Sequence, residues 1–252
     1  MNKTVYVVTH KDYRMPDSNL YSAIAVGPNK NKLSISAVRD DSGDNISSKN
    51  NQYSELTALY WIWKNDKSDV TGIVHYRRYL SNKPKLGYDS ILNDTEIDVI
   101  LKDYQIIVAK PRFYVEGVAK HYINCHKTQH DNCKKQLSIL ESVINEMQPD
   151  YLPAYRDVMK SSSAHMFNMF ITSRDILSNY CNWLFPILFE TEKRIDIEGV
   201  SYERLMGSLS EFLLDVWIKT NNIQYKEVGL FQTEMDFWKR VKRFLYRRFL
   251  EK

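Results

Sequence analysis

The chain has 252 residues, 43% of them apolar, 13% aromatic and 26% charged, with a formal net charge of +4. This balance is that of a globular protein and excludes disordered, collagen-like and disulfide-scaffold classes. Residues 235–252 carry +5 and the remaining chain −1, so the basic character belongs to one terminal segment and not to a nucleic-acid-binding face spread over the body.

In chain order, residues 5–8 and 23–26 are short β-branched runs and predict strands. Apolar spacing at Leu56, Leu59, Tyr60 and Trp63 predicts an amphipathic helix over 53–64. A strand at 70–76 follows, then a helix at 94–102 whose Asn93 and acidic first turn form a start signal. Further along come a strand at 104–109, a helix at 118–147, a strand at 165–171, and helices at 173–193, 201–219 and 235–251. The alternation predicts an α/β fold with a mostly parallel sheet, one domain over 1–234 and a C-terminal helical extension over 235–252. The longest apolar stretch, 183–189, is far shorter than the ~20 residues that span a bilayer, and residues 1–10 have no signal-peptide core. With three scattered cysteines, Cys125, Cys133 and Cys181, these features lead us to expect reduced thiols and a cytoplasmic protein.

None of the 8 glycines builds a G-x-G-x-x-G or Walker loop, so a bound phosphate must be held by side chains, helix ends or a metal. Each apolar strand of the first half instead ends in cationic or imidazole residues: Thr9, His10 and Lys11; His75, Tyr76, Arg77 and Arg78; Lys110 and Arg112. In open α/β sheets the ligand crevice lies beyond the carboxyl ends of the strands, so these clusters would converge on one anionic ligand such as a diphosphate. The alternative is that charges simply mark where strands reach the surface.

The run Asn45-Ile46-Ser47-Ser48-Lys49-Asn50, continuing through Tyr53-Ser54-Glu55-Leu56-Thr57-Ala58-Leu59-Tyr60-Trp61-Ile62-Trp63-Lys64-Asn65, carries a resemblance, as does His75-Tyr76-Arg77-Arg78-Tyr79. Together they resemble the signature of a bacterial family of capsular and exopolysaccharide biosynthesis proteins. That family was long classed only as a domain of unknown function and is now grouped with glycosyltransferases. Further matches at residues 106–114, at Tyr122 with His126, at 165–171, and at Arg204, Gly207 and 211–217 extend the resemblance over residues 3–230. It implies a GT-A-like, Rossmann-type nucleotide-sugar domain. It also implies transfer from a UDP-sugar, with UDP-galactofuranose the first donor to try, to a lipid-linked glycan in capsule, exopolysaccharide or O-antigen synthesis.

Many GT-A enzymes hold a divalent metal through an Asp-x-Asp motif, and this sequence contains none. A cationic clamp of Arg77, Arg78, Lys110 and Arg112 can neutralise a leaving diphosphate instead, so no metal or other cofactor is expected. Thr9, His10 and Lys11 would lie near the nucleotide, with His75 and Tyr76, while Asn45, Lys49, Asn50 and Glu55 would face the donor sugar. Turn chemistry and a helix cap at Asn50 or Ser54 are the plainer reading of the same polar run. An inverting transfer needs a general base, for which Glu211 matches the family's acidic position and Asp131 is the second candidate.

His126, His165 and Asn168 are candidates for positioning acceptor or sugar. On a strand, His165 and Asn168 would point to opposite faces. His121, Cys125, His126, His130 and Cys133 lie close in sequence, but their spacing is not a standard zinc pattern. The basic 235–252 helix carries an aromatic stripe that suits either an anionic membrane interface or packing on protein. A non-catalytic scaffold of a polysaccharide assembly complex would use the same features with a degenerate donor site. Nucleic-acid binding is not expected, and oligomeric state is not legible.

Overall fold

A computed structural model of the protein describes residues 1–82, 87–125 and 130–234. His126 and the predicted 235–252 helix lie outside the described residues. The chain begins with three strands, β1 (Lys3–Thr9), β2 (Tyr21–Ala25) and β3 (Val38–Arg39), followed by the short helix α1 (Asn50–Tyr53) and α2 (Leu56–Asn65). Then come β4 (Val70–His75), β5 (Arg78–Ser81), α3 (Asp94–Leu101), β6 (Ile106–Ala109) and β7 (Arg112–Phe113). The second half holds α4 (Val118–Cys125), α5 (His130–Met147), α6 (Leu152–Lys160), β8 (Ser163–Ala164), β9 (Phe170–Ser173) and α7 (Arg174–Ile197). It closes with α8 (Leu205–Ser210), α9 (Leu213–Thr220) and β10 (Tyr225–Gln232).

Eight strands form one sheet in the order β3-β2-β1-β4-β5-β10-β6-β9, and β4 also pairs with β9, so strands β4, β5, β10, β6 and β9 close into a ring. The expected mostly parallel sheet is therefore corrected to a mixed one: the β1 flank is parallel, whereas β9 runs antiparallel to both β4 and β6 and β10 runs antiparallel to β5. On the edge away from β1, β4 serves two partners, because its first four residues pair with β9 and its last, His75, pairs with Arg78 across a tight hairpin. Burial of β4 on both faces explains its continuous apolar run. Gly72 is required there, since a Cβ would meet Ile171 Cγ1 at 2.6 Å and the Phe170 carbonyl at 3.0 Å.

Helices cover both faces of the sheet. On one side Tyr53, Leu56, Leu59, Phe170, Tyr180, Phe185 and Phe212 form the larger core; on the other, Val5, Val7, Val74, Tyr79, Ile97 and Ile107 form the smaller. The start of α3 is as expected: Asn93 Oδ1 accepts from the Glu96 amide at 2.9 Å and Glu96 returns the bond at 3.0 Å, a capping box that stabilises by about 1 kcal/mol. The predicted 53–64 helix is broken at Ser54 (φ 49°), with no side-chain cap from Asn50 or Ser54. Asn50 Nδ2 instead donates to the Ser54 carbonyl at 2.9 Å, and the Thr57 hydroxyl donates to the same oxygen at 3.0 Å. The predicted 165–171 strand is shorter, at Phe170–Ser173, because Phe167 (φ 83°) and Asn168 (φ 51°) adopt left-handed backbone that a strand cannot hold.

Candidate active site

After β1 the chain places β2 on one side and, on its later return, β4 on the other, so a crevice opens where the strand order reverses. A cleft of about 390 Å³ fills it, lined by Val8 and His10 at the end of β1, Val26 and Gly27 beyond β2, and His75 to Arg78 from the end of β4 to the start of β5. Its far wall is Asn50, Ser54 and Glu55 from the α1–α2 break, Phe167, Glu203 and Arg204 from loops, and Glu211 after α8. Gly27 has φ +79° and lies 3.1 Å, measured from an added Cβ, from Asn50 Oδ1, so a side chain there would be strained and crowded.

Of the five non-glycine residues with positive φ among the described residues, four, Ser54, Phe167, Asn168 and Arg204, line or border this cleft. Such conformations cost about 1–3 kcal/mol each and persist where the surroundings impose them, so their clustering marks this cleft as the candidate site.

The cleft is cationic. The Arg78 guanidinium lies 4.5 Å from the centre of the Phe167 ring and the Arg112 guanidinium 5.4 Å from it, so one aromatic ring contacts both. Burial, with Arg77 and Arg112 nearby, pushes Arg78 below its usual range, the signature of cations held close without full compensation. Arg77 rests over Tyr76 at 5.1 Å and reaches Glu234 at 3.2 Å. Arg204 is exposed, and its backbone amide donates to the Asn51 carbonyl at 2.7 Å. His10 packs edge-on to Tyr76 at 5.3 Å, and burial together with Lys11, Arg77 and Arg204 depresses its pKa. His75 Nε2 lies 2.7 Å from the Phe167 carbonyl, which only accepts; Nε2 therefore carries the proton and Nδ1 the lone pair. Burial depresses the His75 pKa and keeps this ring neutral.

Against this field stand two carboxylates. Glu55 is only 7% exposed and accepts from Asn168 Nδ2 at 2.8 Å; Asn168 in turn accepts from Ser210 Oγ at 3.1 Å and donates to the Gly207 carbonyl at 3.2 Å. Glu211 is pushed up to about 7 by burial and by the like charge of Glu55, with Arg112, Arg204 and Arg78 opposing. A carboxyl that titrates near neutrality in a cleft is poised to take up a proton.

The structure thus brings His10, Asn50, Glu55, His75, Tyr76, Arg77, Arg78 and Glu211 together, with Arg112 and Asn168 immediately behind. Several expected residues are elsewhere. Asp131 has a side chain 95% exposed on α5, paired with Lys134, and does not line the cleft. Lys49 bonds Glu192 through Nζ at 2.9 and 3.0 Å, because that carboxylate, buried against Tyr53, requires a counter-charge. Asn45 closes a turn, donating to the Gly43 carbonyl and accepting from the Ser47 amide. The Thr9 hydroxyl donates to the Lys11 carbonyl at 2.5 Å, Lys11 rests 5.2 Å from the Tyr76 ring, and Lys110 is exposed beyond β6. His165 lies in a second, larger cleft with Asp215 and Glu227. No group of three or more metal-ligating side chains occurs among the described residues. Arg204 and Phe167 are among the wall residues that strand-end patterning misses, since both sit in loops whose left-handed backbone leaves no periodic signal.

A family model described as a domain of unknown function (DUF4422) matches residues 4–222. The chain belongs to that family. No curated protein matches it. Among solved structures, the apo structure of the WbbM bifunctional glycosyltransferase has a similar fold, with a TM-score of 0.79 and 24% identity over 93% of this chain. The matched region is 46% of that protein, so this chain spans about half its length.

Proposed function

We propose that the protein is a glycosyltransferase with a GT-A-like domain that moves a sugar from a nucleotide donor to a glycan acceptor in the cleft at the ends of β1, β2 and β4. The observation that carries this reading is the pairing, in one strained cleft, of an arginine cluster with a carboxyl held at about 7. The shared fold with a bifunctional glycosyltransferase supports it.

In the proposed reaction the acceptor hydroxyl attacks the anomeric carbon, a C–O bond forms there, and the bond to the donor diphosphate breaks. Glu211 takes the hydroxyl proton as attack proceeds, which suits its pKa to neutral pH. The negative charge that develops on the departing diphosphate falls to Arg78, Arg204, Arg77 and Arg112. Such preorganised donors act without reorganisation, and losing one costs about 10²–10³ in rate in comparable sites. Glu55, fixed by Asn168, and neutral His75 Nδ1 offer acceptors for sugar hydroxyls. We propose inversion at the anomeric carbon without a metal, a UDP-sugar donor with UDP-galactofuranose tried first, and a lipid-linked acceptor at the cytoplasmic membrane face. Among the described residues no helix is long and apolar enough to cross a membrane. Any membrane contact in this reading falls to residues 235–252, outside the described residues.

The test is a panel of nucleotide sugars incubated with the protein, following release of free nucleoside diphosphate with and without simple glycoside acceptors. Acceptor-stimulated release by the wild type and its loss in Glu211→Gln support the reading. Release that is equal in the two proteins removes Glu211 from the mechanism, and no release from any donor removes the transferase assignment.

A further inference from the structure

A second cleft of about 870 Å³ opens beside β10 and α9, and His165 forms its inner wall. This imidazole is 8% exposed and has a carboxylate at each nitrogen: Asp215 Oδ1 lies 2.5 Å from Nδ1 and Glu227 Oε1 3.2 Å from Nε2. Asp215 Oδ2 also accepts from the His165 backbone amide at 2.8 Å, so one carboxylate grips both ring and main chain. Carboxylates only accept, and the arrangement is satisfied when both ring nitrogens carry protons. Two residues on, the chain enters the left-handed pair Phe167 and Asn168. Phe167 supplies the ring under Arg78 and Arg112 and the carbonyl that fixes His75; Asn168 holds Glu55. One short turn therefore carries an ionic cluster at one end and the cleft's orienting contacts at the other.

We infer that the His165–Asp215–Glu227 cluster is a latch holding the Phe167–Asn168 turn in its strained form, which makes His165 a positioning residue for the cleft. This rests on the glycosyl-transfer reading, because the groups it positions are the ones assigned to donor and sugar. Left-handed backbone is strained for a residue such as Phe167, and the turn keeps that shape only while both ends are anchored. The Ser210 and Gly207 contacts anchor the Asn168 end. The three bonds of His165 anchor the other.

The groups facing His165 decide how the latch responds to pH. Asp215 and Lys219 come from α9, Glu227, Tyr225 and Lys226 from β10, and Asp157, paired with Lys219 at 2.6 Å, from α6. Burial opposes the imidazolium, but the bonds to Asp215 and Glu227 outweigh it and raise the pKa from its ordinary value. Loss of the proton as pH rises through that raised value leaves one ring nitrogen's lone pair facing a carboxylate, so one of the three bonds is lost and the anchor loosens. The cleft then loses activity on its alkaline side through a residue that touches neither donor nor acceptor.

The experiment has two readouts. In the unliganded protein, NMR follows the His165 ring nitrogens and the Asn168 side-chain amide across pH, and the two should share one midpoint, above the ordinary histidine value. Glu227→Gln, on a side chain 38% exposed and outside the cleft, should lower that midpoint by about one pH unit at both sites. In turnover, the same variant should move the alkaline limb of kcat/KM by the same amount and leave the acid limb of Glu211 in place. His165→Gln should remove the alkaline limb. An Asn168 amide that ignores the His165 titration, or an alkaline limb unmoved by Glu227→Gln, overturns the latch. Coupled NMR titrations in a protein that turns over no nucleotide sugar would keep the latch and discard the transferase reading.

Discussion

Glu211→Gln separates catalysis from stability. The Glu211 carboxyl is held at about 7 against an ordinary value of 4.5, principally by burial and by Glu55. The folded protein therefore binds this proton more tightly than the unfolded chain, and its stability falls as pH rises from 4.5 through 7. The gap corresponds to about 3 kcal/mol, present as a penalty above pH 7 and absent below pH 4.5. Glutamine resembles the protonated acid and escapes the penalty. In thermal unfolding followed by circular dichroism, Glu211→Gln should match the wild type at pH 4.5. It should gain about 6–12 °C at pH 8, at about 2–4 °C per kcal/mol for a domain of this size. Turnover should move the opposite way, falling about 10²–10⁴-fold with loss of the base, while the wild-type rate should fall tenfold per pH unit below 7. A melting difference that is the same at both pH values, or a variant retaining more than about a tenth of wild-type turnover, would refute the argument.

Arg78→Ala and Arg204→Ala should each weaken binding of a nucleoside diphosphate by about tenfold to a hundredfold, as charge-assisted hydrogen bonds are lost. Lys110→Ala, exposed and outside the cleft, should leave calorimetric affinity unchanged. Gly72→Ala should destabilise by about 1–3 kcal/mol in urea titration, because its Cβ would press on Ile171 and on the Phe170 backbone. His165→Gln should be less stable than the wild type below the ordinary histidine pKa. That deficit should shrink as pH rises through the raised native value, since the imidazolium's contribution is lost there; melting temperatures of both proteins from pH 6 to 10 would check the sign.

The residues that sequence located best are those tied to strand ends. His10, His75, Arg77 and Arg78 lie at the ends of β1 and β4, and parallel strands on either side of a switch point open at those ends; the same apolar-run-then-charge pattern at β6 picks Lys110, which lies outside the cleft. Glu55 and Glu211 came from the resemblance, and their convergence needed the fold. Lys49 shows the limit of local reading: its partner Glu192 lies on α7, 143 residues on, and nothing in the 44–55 run reveals that a buried carboxylate needs that ammonium. β10 was missed because only Val228 and Phe231 among its eight residues are buried, leaving no alternation, although it sits between β5 and β6. The mixed sheet follows from that strand and from the antiparallel return of β9, neither of which has a periodic signature. Arg204 and Phe167 depend on left-handed backbone imposed by neighbours distant in sequence.

The most direct test of the central claim is calorimetric titration of the protein with UDP and a set of UDP-sugars in EDTA, repeated with manganese and with Arg78→Ala. The account predicts saturable binding in EDTA that manganese does not strengthen and that the variant weakens. Binding only with manganese would contradict the arginine clamp as the sole counter-charge, and heat that shows no binding in either condition would contradict the nucleotide-sugar site itself.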